Sequence, residues 1–194
     1  MDLTRLYSTV SILIAFATFV PYFYELWKGT AKPHVFSWIT WGVLTGLGFV
    51  LSRNGGGGEG AWVFAAMSID CFFVAAVAIV RGKMEITRSD RVTFVAAMIA
   101  TAFYAFTRDA TASVILAAAI DTAGFFPTFR KSYAKPFEEP LASYAIAMWS
   151  YVFSILALGD RTFVTVLYPA VLIATNAAFV TFLLSRRHFF SSST

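Results

Sequence analysis

The sequence predicts an all-α integral membrane protein: seven transmembrane helices, arranged as two parallel three-helix-bundle repeats joined by a linker helix (3+1+3). Three observations carry that expectation. First, 58% of the 194 residues are apolar and only 13% are charged, with a mean hydropathy of +0.70; a soluble domain carries roughly 25% charged residues. Second, the charges cluster, leaving apolar stretches of about 17–23 residues between them, each long enough to cross a hydrocarbon core of about 30 Å at 1.5 Å per residue. Third, the two halves of the chain that flank the fourth expected helix repeat one another. Backbone groups in lipid must be satisfied internally, so the spans must be helices or closed barrels. Barrel strands would alternate in polarity every second residue, and these stretches do not.

Helices are expected near 5–27, 35–52, 61–80, 91–107, 111–131, 141–158 and 162–185. The breaks carry turn residues and charge: Lys28 to Pro33, Arg53 to Gly60 with four consecutive glycines, Arg81 to Asp90, Thr107-Arg108-Asp109, Lys131 to Pro140, and Gly159-Asp160-Arg161. Three units follow: a first triple-helix bundle over 1–83, a linker helix over 84–109, and a second bundle with a short tail over 110–194.

Eleven of the fifteen basic residues fall on one side of these spans: Lys28, Lys32, Arg81, Lys83, Arg88, Arg91, Arg130, Lys131, Lys135, Arg186 and Arg187. Arg5, Arg53, Arg108 and Arg161 fall on the other. The positive-inside rule then places the N-terminus outside and the C-terminus in the cytoplasm. The pI of about 9.3 is therefore loop charge that sets topology, and no nucleic-acid partner is expected. The basic loops are read as topology signals in preference to lipid head-group sites. The first apolar stretch lacks a small-residue cleavage site, so no removable signal is expected. Compact loops and the lack of an Asn-x-Ser/Thr acceptor point to a bacterial inner membrane.

At an offset of 106 residues, Pro21 pairs with Pro127, Phe19 with Phe125, Phe23 with Phe129, Ser37-Trp38 with Ser143-Tyr144, and Arg81 with Arg187. Ala31-Lys32-Pro33 recurs as Ala134-Lys135-Pro136, shifted by three, with extra residues around Glu138-Glu139-Pro140. Helices 1–3 and 5–7 are thus copies. An odd number of helices per copy would invert the second, and helix 4 restores the direction, giving parallel repeats about an axis along the membrane normal.

With a proline in the first helix of each half, a basic loop containing lysine and a serine in the next helix, the chain resembles the SWEET and PQ-loop superfamily over nearly its whole length. Pro21 is followed by Tyr22 and Pro127 by Thr128, where the PQ-loop pattern has Gln. Trp38-Ile39-Thr40-Trp41 also resembles the Trp-x-x-Trp elements of PnuC-type vitamin transporters, which share the layout. The resemblance implies a small-solute transporter, sugar-like substrates included, in which two triple-helix bundles rock around a central site. It also implies that Asp70 and Asn176, paired by the offset, stand where each half supplies an Asn to the substrate; Asp70 departs from Asn by one functional group.

Polar residues within the spans are the candidate site. An ionised Asp at mid-bilayer costs at least about 2.5–3.5 kcal/mol, so Asp70 should face a cavity, a partner or a proton, or else make a helix–helix hydrogen bond that holds the bundle together, worth roughly 0.6 kcal/mol. Asp121 has Ala15 as its repeat equivalent and breaks the symmetry. No Lys or Arg lies inside a span, so Asp70 and Asp121 are either protonated at rest or completed by a cation or an amine-bearing solute. Asp121 alternatively caps a hydroxyl network with Thr122. Trp41 and Trp149 lie deep enough to stack on a solute ring, or belong to an interfacial belt with Trp38 and Tyr144. Pro21 and Pro127 kink their helices, as gating hinges or as static bends. Gly42, Gly46 and Gly48 form a small-residue packing face, and Cys71 is an apolar filler.

No Walker, Rossmann, HExxH, CxxC or GxSxG element occurs, His34 and His188 fall in loop or tail, and helix 7 holds no lysine for a retinal Schiff base. The chain is accordingly not expected to be an enzyme or to bind a cofactor or metal. Its expected partners are a small-molecule solute and the lipid bilayer. The alternative is a non-transporting membrane receptor or assembly subunit.

Overall fold

The computed structural model describes residues 2–30, 33, 35–81 and 88–192. These form seven α-helices: α1 (Leu3–Lys28), α2 (Val35–Asn54), α3 (Trp62–Arg81), α4 (Arg88–Thr107), α5 (Ala110–Ala134), α6 (Leu141–Leu156) and α7 (Phe163–Ser192). Lys32, His34 and Lys83, singled out above, lie outside the described residues. The described chain is all-helical, and five helices are long and apolar enough to cross a membrane: α1, α2, α3, α5 and α7. The apolar segments of α4 and α6 are shorter, at Arg91–Thr107 and Leu141–Leu156. Outward-facing Val20, Trp27, Val80 and Phe106 are exposed, as suits a surface bathed in lipid rather than water.

Local chemistry explains several helix ends. Asp2 caps α1 by accepting from the Thr4 amide at 3.2 Å, and Asp109 caps α5 by accepting from the Ala112 amide at 3.0 Å. Gly29 closes α1 in the left-handed region at φ 76°. Two expectations need correction. The glycine-rich break after α2 contains a 3-10 turn, Gly58–Ala61. Helix α7 runs past residue 185 to Ser192, so His188 is helical rather than in a tail. Arginine pairs this extension with the end of α5 and the chain after it: Arg186 Nη2 donates to the Tyr133 carbonyl at 2.8 Å, and Arg187 Nε to the Pro136 carbonyl at 3.0 Å. Pro169, within α7, has no proline at its repeat position.

The helices pack as a ring. α1 lies against α3 and α3 against α2; α5 lies against α7 and α7 against α6; α1 meets α6, and α2 meets α5. α4 sits outside, on α2 and α5. Shifting by 106 residues exchanges α1 with α5, α2 with α6 and α3 with α7, and every pair in the ring maps onto another pair in the ring.

Small residues set the closest approaches. Gly42 faces the Phe72 ring and Gly46 the Ser68 hydroxyl, so this glycine face packs α2 onto α3, as expected. Gly48 instead lies under Tyr168 of α7, where an added Cβ would come within 2.5 Å of the ring. At the α1–α6 contact, Ser11 Oγ donates to the Ser150 carbonyl at 2.6 Å. At the end of the ring bearing the glycine loop, Ser8 Oγ donates to the Glu59 carbonyl at 2.8 Å and Ser154 Oγ to the Gly60 carbonyl at 2.8 Å. The loops after α2 and α6 join there through Asp160 N to Gly56 O at 2.9 Å. The opposite, basic end carries Lys131, Arg186 and Arg187.

Candidate functional site

The ring encloses a cavity of about 60 Å³, lined by residues from all six of its helices and by none from α4. Every lining residue is buried. Each helix contributes neighbours one turn apart, the spacing that puts side chains on one face: Thr18 and Tyr22 from α1, Trp38 and Trp41 from α2, Met67 and Cys71 from α3. Asp121 and Phe125 come from α5, Ala147 and Tyr151 from α6, and Leu172 and Asn176 from α7.

Asp121, Asn176 and Trp41 therefore meet at one place. Asp70 and Trp149 do not line it. On α3 the face turned inward passes through Met67 and Cys71, and Asp70 is one position off that line, rotated by about 100° from Cys71. Asp70 is nonetheless buried, with Oδ2 unpartnered among the described residues. Trp149 lies between Ala147 and Tyr151, about 200° around α6 from each, and is 54% exposed; the expectation that it reaches the centre is corrected. Pro21 and Pro127 both lie inside helices, one residue before Tyr22 and two after Phe125, beside the basic end of the cavity.

Asp121 is 1% exposed and Tyr168 Oη donates to its Oδ1 at 3.0 Å. This replaces the expected Thr122 network. Thr122 points away and bonds back to the Ala118 carbonyl at 2.8 Å, as helical threonines do. Asp121 Oδ2 has no partner among the described residues, and neither do Trp41 Nε1 and Ser143 Oγ, also on the cavity wall. Among the described residues, no lysine or arginine lines the cavity. Asn176 spends its amide nitrogen on its own helix, at the Leu172 carbonyl, 2.8 Å away.

Two aromatic layers bound the space. Toward the glycine loop, Phe64 lies 6.0 Å from the Tyr151 ring and 5.5 Å from Tyr168. Toward the basic end, Trp38 Nε1 donates to Tyr22 Oη at 3.1 Å, and Tyr144 packs edge-on against Phe179 at 4.5 Å. Trp38 and Tyr144 are thus buried walls rather than an interfacial belt. Behind Tyr144 lies a buried acid that sequence reasoning treated only as loop filler. Glu139 accepts from Tyr144 Oη at 2.8 Å and from Lys131 Nζ at 2.6 Å, while its carbonyl accepts from Arg187 Nη2 at 2.7 Å.

The chain matches no family model, no curated protein and no solved structure. The geometry is therefore the ground for a functional reading. A small enclosed space with both acceptor and donor atoms unsatisfied suits a compact polar guest, because a buried polar atom without a hydrogen bond costs about 1–3 kcal/mol.

Tyr168 went unnoticed in the sequence, and Ser143 was not singled out as a site residue. Ser143 did carry a signal, the repeated serine–aromatic pair at 37–38 and 143–144. Tyr168 carried none, since its partner is 47 residues away on another helix. Tyr168→Phe is expected to lower stability by about 1–2 kcal/mol by leaving Asp121 with no partner at either oxygen. Thermal unfolding in detergent checks it, and an unchanged melting temperature would mean that the hydroxyl contributes nothing.

Proposed function

We propose that all seven helices cross the membrane in a 3+1+3 arrangement, and that the chain carries a small polar solute by alternating access between its two triple-helix groups. The single observation behind this reading is the central cavity, where six helices related by the repeat converge and buried polar groups lack partners among the described residues. At 16 residues, α6 is about 24 Å long, shorter than the hydrocarbon core. It is flanked by α1 and α7, so the chain at its ends is shielded by protein. The excess of Lys and Arg puts the basic end in the cytoplasm and the N-terminus outside, in a bacterial inner membrane.

The two ends are closed differently. Backbone lies on backbone at the glycine loop, with loop hydrogen bonds across it. The basic end is shut by side chains, chiefly Tyr22, Trp38 and Tyr144. Rotation of a few rings opens that end, whereas the other requires the α1–α6 contact to part, with Pro21 and Pro127 as the hinges.

Cys71, the only cysteine, is buried and lines the cavity, which makes it a native reporter. In membrane vesicles of both orientations, a membrane-impermeant maleimide is expected to modify Cys71 slowly from either face. Modification from one face only, or from neither, would rule out alternating access and leave a receptor or assembly subunit as the better description.

A further inference from the structure

Three buried atoms of residues that line the cavity lack hydrogen-bond partners among the described residues: Asp121 Oδ2, Trp41 Nε1 and Ser143 Oγ. They are chemically distinct. The carboxylate oxygen accepts, the indole N–H only donates, and the hydroxyl does either. The first two are close neighbours. Trp41 Nε1 stands 3.1 Å from where a Cβ on Gly124 would lie, and Gly124 is one turn from Asp121 on α5, a separation of roughly 5–6 Å between side-chain origins. The absence of a side chain at Gly124 is what admits the indole to α5 at the level of the acid.

The rest of the wall is aromatic. Tyr22, Trp38, Trp41, Phe125, Tyr144 and Tyr151 surround the space, and ring faces attract cations. Among the described residues no lysine or arginine reaches it, so nothing in the wall neutralises Asp121 and nothing would neutralise a carboxylate brought in by the guest. A buried charge without a counter-charge is strongly disfavoured. With Asp121 ionised, the guest must then supply a positive group to it and a neutral acceptor to Trp41. The cavity limits its size: 60 Å³ corresponds to about four to six water-sized positions at 10–15 Å³ each.

From this we infer that the cavity binds a compact amino alcohol, with its ammonium group on Asp121 Oδ2 and its hydroxyl oxygen accepting from Trp41 Nε1, Ser143 completing the hydrogen bonds. This rests on the carrier reading and names the class of solute. An amino acid is disfavoured because its carboxylate would be unpaired, and a sugar or glycol because it leaves Asp121 without a counter-charge.

The test uses the full-length protein purified in detergent and four probes of similar size: ethanolamine, ethylamine, ethylene glycol and glycine. Ethanolamine at a hundredfold excess over its Kd is expected to raise Tm by about 5 °C. Ethylamine, lacking the oxygen, should bind about tenfold more weakly, and ethylene glycol and glycine should give no shift. Trp41→Phe keeps a ring but removes the N–H, and should erase the preference for ethanolamine over ethylamine. Asp121→Asn should abolish the response to both amines. Because the comparison of probes needs only the unaltered protein, a variant that fails to fold does not decide the matter.

No shift with ethanolamine, or an equal shift with ethylene glycol, would overturn the inference. Two-sided labelling of Cys71 together with a silent ethanolamine titration would sink the amino-alcohol assignment while leaving the carrier reading standing. One-sided labelling with an intact ethanolamine response would sink the carrier reading and leave the binding site.

Discussion

Replacing Gly60 with alanine is expected to lower Tm by about 2–12 °C and to expose Cys71 to reagents at the glycine-loop end. A Cβ at Gly60 would lie 2.6 Å from the Ser154 carbonyl oxygen, 2.9 Å from Leu158 N and 3.0 Å from Ala157 C. All three are backbone atoms of α6 or its end, and backbone has no rotamer with which to yield. The loop and α6 must separate, which also strains the hydrogen bond from Ser154 Oγ to Gly60 O. Overpacking costs about 1–3 kcal/mol, and each kcal/mol is worth about 2–4 °C in a chain of this size. Gly42→Ala is the control. There the nearest atoms belong to the Phe72 side chain at 3.1–3.2 Å, and the ring can turn aside. Differential scanning fluorimetry of both variants, with maleimide labelling of Cys71, reads the outcome. Equal, small shifts for the two would show that this end is not sealed by backbone contact.

Lys131→Met is expected to destabilise the protein by about 3 kcal/mol, because it strands a buried carboxylate. Glu139 is 3% exposed, and losing Lys131 leaves its side chain with only the Tyr144 hydroxyl among the described residues. Breaking a buried ion pair by removing one partner costs about 3–5 kcal/mol. The lower end applies because the Lys131 side chain is 22% exposed and partly screened. Adding Glu139→Gln to Lys131→Met removes the stranded charge and should restore about half of the loss, a coupling that a double-mutant cycle measures directly. Tyr144 is both a partner of Glu139 and a cavity wall, so Glu139→Gln alone should also speed Cys71 labelling from the basic end. A double variant no more stable than Lys131→Met would show that the carboxylate charge is not what the lysine offsets.

The helical membrane class and the positions of the helices were legible because the constraint is local. A stretch of about 20 apolar residues satisfies its own backbone hydrogen bonds only as a helix, and charged or glycine-rich breaks end it wherever they fall. The pairing of Pro21 with Pro127 and of Ser37-Trp38 with Ser143-Tyr144 is likewise written in the linear order. It anticipates which helices exchange within the ring. The extension of α7 was not legible, since it accompanies arginine contacts to carbonyls about fifty residues away.

The site was only partly legible. Asp121, Asn176 and Trp41 could be picked out as polar or aromatic groups at mid-span, but depth along a helix does not say which way a side chain points. Trp149 has the right depth and the wrong face, two positions from Ala147 and Tyr151. Asp70 misses the cavity by one position from Cys71. Glu139 looks like solvent-exposed loop until Lys131 and Tyr144 fold over it.

Composition and spacing by themselves determined that this protein is helical, belongs in a membrane and repeats itself. The tertiary structure alone decided that Tyr168 holds Asp121, that Gly124 makes room for the Trp41 indole, and that three polar atoms remain unpaired around one small space. The physical reason is range: backbone hydrogen bonding and lipid solvation act within about twenty residues, whereas burial and pairing depend on which distant side chains arrive at the same point.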